Sequence, residues 1–331
     1  MAQTTVRNST EQQADLPRTA LLSQSERTYQ IETALQHSDV EYETDPADPW
    51  EFDTLVIETP DRKMLRHAVE GKFKDTTVLF RMRGDPYWGI HQWYDNPIPP
   101  VRWAKKWVAL KQLEWVDGCV AIAEHQANKY RRNSGQPTKI VQLSRDVSEW
   151  PDTHHTDDKL RALSLTNCWY PDKIDPIIKH AGVVNEVLDD VGGQWIIGGR
   201  GRYTDRLAEG VAPYEHVHFP GYVDAEARLE EANIMLHFSQ FDSFAGAILE
   251  GCASRLPVIS SDHPAFTNAD VPVDVVAGGK ERLKPLLYHY ADPRAREQKG
   301  AENERVVADR FNHERVGQDW QDVLQWFHAN V

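Results

Sequence analysis

Short apolar runs alternate with helical stretches along most of the chain. Such alternation predicts parallel β-sheets with helices on both faces, an α/β fold. A first series of strand patterns lies at residues 19–23, 40–44, 54–58, 76–82, 118–123 and 139–143. A second series lies at residues 161–166, 194–197, 217–219, 234–238 and 257–260. Helical patterns lie between them, at residues 31–35, 61–73, 174–188, 226–231 and 245–253.

The polar, proline-containing stretch around residues 151–160 has no periodicity and predicts a linker. The two series therefore predict two doubly wound Rossmann-like domains that face a cleft, at residues 19–150 and 161–311. Ligands in such folds bind at the carboxyl ends of the strands. Residues 1–18 are polar and are expected to form a disordered tail.

Acidic residues outnumber basic ones 51 to 37 in this 331-residue chain, which argues against a general nucleic-acid binder. The bases divide into 23 Arg and 14 Lys. An acid-rich, lysine-poor composition is typical of proteins from a high-salt cytoplasm, although an ordinary acidic cytoplasmic protein is the alternative. Three widely spaced cysteines give neither a disulfide framework nor zinc-site spacing, so no metal is expected. The sequence shows no secretory signal and no membrane-spanning run, which favours a cytoplasmic location.

The most informative segment starts at the predicted strand 234–238. Its loop delivers the backbone N–H groups of about Phe244 to Gly246 to a helix amino terminus, which favours an anion. Gly246 keeps that backbone accessible. Asp242 precedes the helix and can cap it, while the carboxylate of Glu250 suits two vicinal hydroxyls.

These two carboxylates are separated by seven residues and are followed by a Leu-Pro-Val-Ile strand. The arrangement resembles the paired acidic motif of the retaining glycosyltransferases of family 4, which have the GT-B fold. Residues 216–261 carry the resemblance most fully. It implies that Glu250 holds the donor ribose and that Asp242 contacts the transferred sugar. It also implies that backbone amides hold sugar or phosphate oxygens, namely those of Ser243, Phe244, Ala245 and Gly246.

Two departures from the family pattern concern the donor. The family usually has Glu where this chain has Asp242, which bears on the identity of the sugar. An Arg and a Lys about six residues apart usually neutralise the donor diphosphate; Lys173 fits the Lys position, but Asn167 takes the Arg position. Arg200 and Arg202 are candidate replacements. Without the resemblance, Asp242 is a helix cap, Glu250 a solvated residue and Lys173 a helix-start lysine.

Glycines follow the predicted strand 194–197. The run Gly198-Gly199-Arg200-Gly201 resembles the family's glycine turn, which implies donor contacts at Gly199 and Arg200; a plain strand-to-loop turn is the alternative. Gly221 and Tyr222 lie on a later turn, near the expected place of the nucleotide base.

The first domain is expected to bind the acceptor. Arg83 and Asp85 follow the strand 76–82, where the family often carries a His, and are predicted acceptor or phosphate contacts; a structural Arg–Asp pair is the alternative. Seven aromatic residues lie between Tyr87 and Trp115, and the helix that starts near Val101 interleaves them with Arg and Lys. This mixture is typical of an interfacial helix and suits a lipid-linked acceptor at the inner face of the membrane. A helix packed on the sheet and an aromatic sugar-binding cleft are the alternatives.

The resemblance implies a retaining, hexosyltransferase-type enzyme that needs no metal or cofactor. It would move a sugar from a nucleotide-sugar donor to an acceptor hydroxyl, in glycan, glycolipid or glycoprotein synthesis. It also implies that a last helix, at residues 312–329, crosses back onto the first domain. The departures at Asn167 and Arg83 motivate an alternative, a catalytically weak or inactive sugar-binding partner subunit. An epimerase or phosphorylase of the same fold is a third possibility.

Overall fold

The computed structural model describes residues 16–22, 29–58, 62–82, 99–242, 244, 246–267, 271, 273–276 and 280–331. Two six-stranded sheets form its centre. The first sheet contains β1 (Thr19–Leu22), β2 (Tyr42–Thr44), β3 (Thr54–Ile57), β4 (Thr77–Arg81), β5 (Gly118–Ala121) and β6 (Thr138–Ile140). The second contains β7 (Leu160–Asn167), β8 (Gly193–Arg200), β9 (Val217–Gly221), β10 (Ile234–His237), β11 (Val258–Ser261) and β12 (Asp274–Val276).

Helices connect and cover the strands. In the first half they are α1 (Tyr29–Leu35), α2 (Arg62–Gly71), α3 (Pro99–Trp115) and α4 (Glu124–Ser134). In the second half they are α5 (Pro171–Val191), α6 (Thr204–Val211), α7 (Ala225–Glu231), α8 (Gly246–Ala253), α9 (Pro264–Thr267), α10 (Lys280–His289), α11 (Pro293–Arg310) and α12 (His313–Asn330). No helix in the described part of the chain is long and apolar enough to cross a membrane.

Every strand pair in both sheets is parallel. The strand order is β2-β1-β3-β4-β5-β6 in the first sheet and β12-β11-β10-β7-β8-β9 in the second. The predicted class, two doubly wound α/β sheets, is confirmed. In the second sheet the order reverses between β7 and β10, and a reversal of this kind opens a crevice at the carboxyl ends of the two strands.

The strands are short and apolar because both faces of each sheet are covered. All four residues of β3, β5 and β10 are buried, as expected for strands inside a parallel sheet. In the second sheet, Trp195 of β8 is fully buried beside Ile177 and Val184 of α5. This packing fixes α5 behind β7 and so places the amino terminus of α5 at the crevice.

The last helix, α12, packs against the first sheet. Trp320, Leu324 and Phe327 of α12 share one buried cluster with Leu79 of β4 and Val120 of β5. The chain therefore passes between the two sheets twice, once after β6 and once between α11 and α12.

The structure corrects one local prediction. Gly198, Gly199 and Arg200 continue strand β8, and the turn starts at Gly201, where φ is +155°. The glycines belong to the strand because β7 extends to Asn167 and pairs with β8 along its whole length. A Cβ atom at Gly199 would lie 2.4 Å from the carbonyl oxygen of Thr166, so this pairing requires glycine.

Candidate active site

A cleft of about 820 Å³ lies at the carboxyl ends of β7, β8 and β10. Gln30, Ile122 and Leu143 of the first half contribute to its wall, so the cleft lies between the two sheets. Its lining includes eight of the predicted site residues, together with Asn167: Lys173, Gly199, Arg200, Tyr222, Asp242, Phe244, Gly246 and Glu250.

The other predicted site residues have different positions. Gly221 ends β9 beside Tyr222, with φ at +88° and no described neighbour within 4 Å of the position that a Cβ atom would take. Arg83, Asp85, Ser243 and Ala245 lie outside the described residues, so their predicted contacts stay predictions.

A buried ion pair joins the first turn of α5, which follows β7, to the loop after β10 across the crevice. The Lys173 ammonium forms a salt bridge with the Asp242 carboxylate, and the two side chains are 10% and 8% exposed. His237 Nε2 lies 3.2 Å from the same carboxylate oxygen. Lys173 and Asp242 are brought together because β7, which leads into α5, and β10 are neighbours in the sheet.

The charge on Asp242 is fixed by these two neighbours. Burial alone raises the pKa of this carboxyl group, but the Lys173 ammonium and the His237 imidazole outweigh burial and hold the pKa well below its usual range. Asp242 therefore remains an anion at neutral pH. The Asp242 carboxylate also holds the Lys173 ammonium in the wall of the cleft.

Glu250 has a partner that the sequence did not reveal. Arg145, which follows β6, donates a hydrogen bond of 2.9 Å from Nη2 to Oε1 of Glu250. The side chains of Arg145 and Glu250 are 8% and 17% exposed. Glu250 lines the cleft. Its carboxylate therefore faces the cleft while Arg145, a residue of the first half of the chain, holds one of its oxygens.

Two helices point their amino termini at the cleft. The 21-residue helix α5 begins at Pro171, directly after β7, and α8 begins at Gly246. The positive ends of their dipoles favour an anion. With Lys173 in the first turn of α5, this end of the second sheet is suited to phosphate.

Arg200 lies beside Asn167, which takes the position where the family pattern predicts an arginine. Asn167 and Arg200 are direct partners in the β7–β8 ladder, and both side chains are exposed at the strand ends. The Arg200 guanidinium lies 4.9 Å from the centre of the Tyr222 ring. The other candidate, Arg202, does not line the cleft as far as it is described, and its guanidinium lies over Tyr203.

Histidines were also missed by the sequence analysis. His125 of α4 and His263 after β11 form an edge-on pair with ring centres 5.7 Å apart. Burial lowers the pKa of His263, and the proximity of His125 lowers it further. His237 had one local signal, since a polar residue ends the otherwise apolar run of β10; no local pattern marks His125 or His263.

No metal centre is found in the part of the chain that the structure covers. Among the described residues, no three His, Cys, Asp or Glu side chains are grouped so that they could hold a metal ion.

Two sequence comparisons agree with this site. Residues 168–292 match the model of the family described as glycosyl transferases group 1. The matched segment contains Lys173, Asp242 and Glu250. A putative glycosyltransferase, ORF31, of the virus isolate Australia/Victoria is 29% identical over 307 residues, which cover 90% of this chain and 93% of the viral protein.

Solved structures show the same fold at low sequence identity. HepE from Anabaena, crystallised with UDP, matches with a TM-score of 0.69 and 12% identity over 93% of this chain and 100% of HepE. TarM matches with a TM-score of 0.63 and 12% identity over 82% of this chain and 54% of TarM, so this chain spans about half of TarM. The fold is therefore GT-B, as the resemblance implied.

Proposed function

We propose that the protein transfers a sugar from a nucleotide-sugar donor to an acceptor hydroxyl, because residues 168–292 match the group 1 glycosyltransferase model and lie within a GT-B fold. One observation carries this proposal. Glu250 and Lys173 line one cleft at the switch point of the second sheet, and two helix amino termini point into it. HepE, whose fold is similar, was crystallised with UDP and with UDP-glucose, which favours a uridine nucleotide as the first donor to test.

Each part of the donor has a chemically suited contact. The Glu250 carboxylate accepts hydrogen bonds from the ribose hydroxyls. Lys173 and the first turns of α5 and α8 bind the diphosphate, because that charge needs cations and N–H donors. Tyr222, which is 71% exposed at the cleft, offers a ring face to the base.

The reaction proposed is transfer with retention of configuration. Of the described residues that line the cleft, Asp242 and Glu250 are the carboxylates, and each is bonded to a cationic side chain. A paired carboxylate is a poor nucleophile, so a covalent sugar–enzyme intermediate is disfavoured. Retention is what the family resemblance implies, and the acceptor hydroxyl then attacks from the face of the leaving diphosphate: its oxygen bonds to the anomeric carbon as the bond to the diphosphate breaks, and a diphosphate oxygen takes the proton.

Arg200 supplies the second positive charge for the leaving diphosphate. Its backbone lies directly opposite Asn167, so an arginine on β8 stands where the family's arginine on β7 is absent. Tyr222 holds its guanidinium at the cleft.

Replacing Arg200 with glutamine should lower kcat about tenfold at low ionic strength, a modest effect because solvent screens an exposed charge. Arg202→Gln is the matched control, since Arg202 is also exposed and lies two residues away. Steady-state kinetics of the two variants checks this role. Equal losses in both variants would contradict it.

The acceptor is proposed to be lipid-linked and bound at a membrane surface, for glycolipid or glycan synthesis. In α3, Trp103 and Trp107 are 70% and 50% exposed, and Lys105 lies between them. These tryptophans lie one helical turn apart, so they face the same side of α3. Exposed Trp with basic neighbours suits the headgroup region of an anionic bilayer.

Replacing both Trp103 and Trp107 with serine should weaken binding to anionic phospholipid vesicles at least about tenfold, because indole burial supplies the anchoring. Phe73→Ser is the matched control, as Phe73 is 83% exposed in the first half of the chain but lies outside α3. Co-sedimentation with vesicles measures the binding. Unchanged binding of the double variant would remove the membrane proposal.

A donor screen tests the proposed function directly. Purified protein is incubated with nucleotide sugars, at high and low salt, and nucleotide release and sugar transfer are followed by mass spectrometry. Calorimetric titration of the same ligands separates two outcomes. Binding with turnover supports the transferase, whereas binding without hydrolysis or transfer supports the non-catalytic sugar-binding subunit, which the Asn167 departure motivates.

A further inference from the structure

Arg145 is anchored where the chain passes between the two sheets. Its backbone N–H donates to the carbonyl oxygen of Phe311 at 2.7 Å, which joins the two crossings of the chain. Its Nη1 donates to the carbonyl oxygen of Ser144 at 2.8 Å. These two hydrogen bonds fix the backbone of Arg145 and one side of its guanidinium next to the cleft.

The space that the Arg145 guanidinium occupies depends on a missing side chain. A Cβ atom at Gly246, the first residue of α8, would lie 3.0 Å from Nη2 of Arg145 and 3.6 Å from Oε1 of Glu250. Glycine in a helix is costly in backbone entropy, so its presence here fits a need for room. Gly246 thus lets a residue of the first half reach a carboxylate one turn along α8.

We propose that Arg145 is a positioning residue for the donor nucleoside. It fixes the Glu250 carboxylate through Oε1 and leaves Oε2 to accept hydrogen bonds from the ribose hydroxyls. This inference rests on the proposed function, since it assigns a partner to the carboxylate that would hold the donor.

The consequence is that ribose recognition depends on both halves of the protein. Glu250 belongs to the second sheet's domain, whereas Arg145 follows the last strand of the first. A rearrangement of the crossing that holds Arg145 would move its guanidinium away from Glu250. Nucleoside affinity would then change even though every residue of the second sheet stayed in place.

Calorimetric titration with UDP and with 2′,3′-dideoxy-UDP tests the inference; ADP or GDP and its dideoxy analogue is used if wild type prefers that base. Arg145→Gln should weaken the ribonucleotide at least tenfold and the dideoxynucleotide by less than twofold, because only the former has the hydroxyls that Glu250 binds. Arg145→Lys, which keeps the charge, should recover part of the loss. Adding Arg145→Gln to Glu250→Gln should have no further effect on affinity.

Arg255→Gln is the matched control, because Arg255 is also an ion-paired arginine of low exposure, bonded to Glu297 and Glu304 away from the cleft. It should leave both affinities unchanged. Equal weakening of the two nucleotides by Arg145→Gln, or none, overturns the positioning role. A wild-type protein that binds no nucleotide overturns the proposed function itself, so the two failures are distinguishable.

Discussion

The Glu250→Ala variant is expected to lose transfer activity by about a hundredfold or more in kcat/KM, since truncating one partner of a buried charge pair costs 10²-fold or more in such sites. The substitution removes the proposed acceptor of the ribose hydroxyls. It also leaves the Arg145 guanidinium, 8% exposed, without the carboxylate that it contacts. Steady-state kinetics with the donor found in the screen measures the effect.

Stability must be separated from chemistry in this variant. Uncompensated charge at Arg145 should lower the Tm, whereas the double variant Glu250→Ala/Arg145→Ala should recover the Tm but not the transfer. Glu226→Ala, a substitution in the neighbouring helix α7, serves as a control for carboxylate loss alone. Transfer at the wild-type rate in a folded Glu250→Ala protein would sink the glycosyltransferase assignment.

The Lys173→Met variant is expected to show the second large effect, a fall in kcat of about 10²–10³-fold, typical of removing one charge-stabilising donor. In the proposed function, Lys173 neutralises the diphosphate as it leaves. Its loss also leaves the Asp242 carboxylate, 8% exposed, without its ammonium partner. Breaking a buried pair in this way costs roughly 3–5 kcal/mol of unfolding free energy.

The double variant Lys173→Met/Asp242→Asn separates these two contributions. The amide that replaces the Asp242 carboxylate carries no charge to desolvate, so chemical denaturation should show most of the stability restored while kcat stays low. Lys179→Met is the control, because Lys179 is exposed on the same helix. Recovery of kcat together with stability would mean that Lys173 acts only as a structural partner of Asp242.

Several features of the site follow from sequence alone because their signals are local. The strands of the second sheet appear as short apolar runs, and the Asp242–Glu250 pair lies within one strand–loop–helix segment. The contact between Lys173 and Asp242 also follows once the sheet order is known, since β7 and β10 are neighbours and their carboxyl ends meet.

Other features depend on distant residues and leave little local trace. Arg145 and Glu250 are 105 residues apart in sequence, and no motif around Arg145 indicates the contact. The available signal was Gly246, because a glycine at a helix start next to a ligand site indicates close approach of another group. The misplaced glycine turn has a similar cause. Glycine is typical of turns, but at Gly199 it serves the close pairing with β7, which only the sheet register shows.

The contact between α12 and the first sheet has a consequence for biosynthesis. Phe327 packs so closely on β5 that a Cβ atom at Gly118 would lie 2.1 Å from its ring. β6 ends at residue 140 and α12 begins at residue 313, so the 172 residues 141–312 are synthesised between them. At about 5–20 residues per second, this takes roughly 10–35 s on the ribosome. The strands of the first sheet are therefore synthesised first, whereas α12, the helix that covers one of their faces, is synthesised last. The apolar face left uncovered during that interval is the surface that a chaperone would meet.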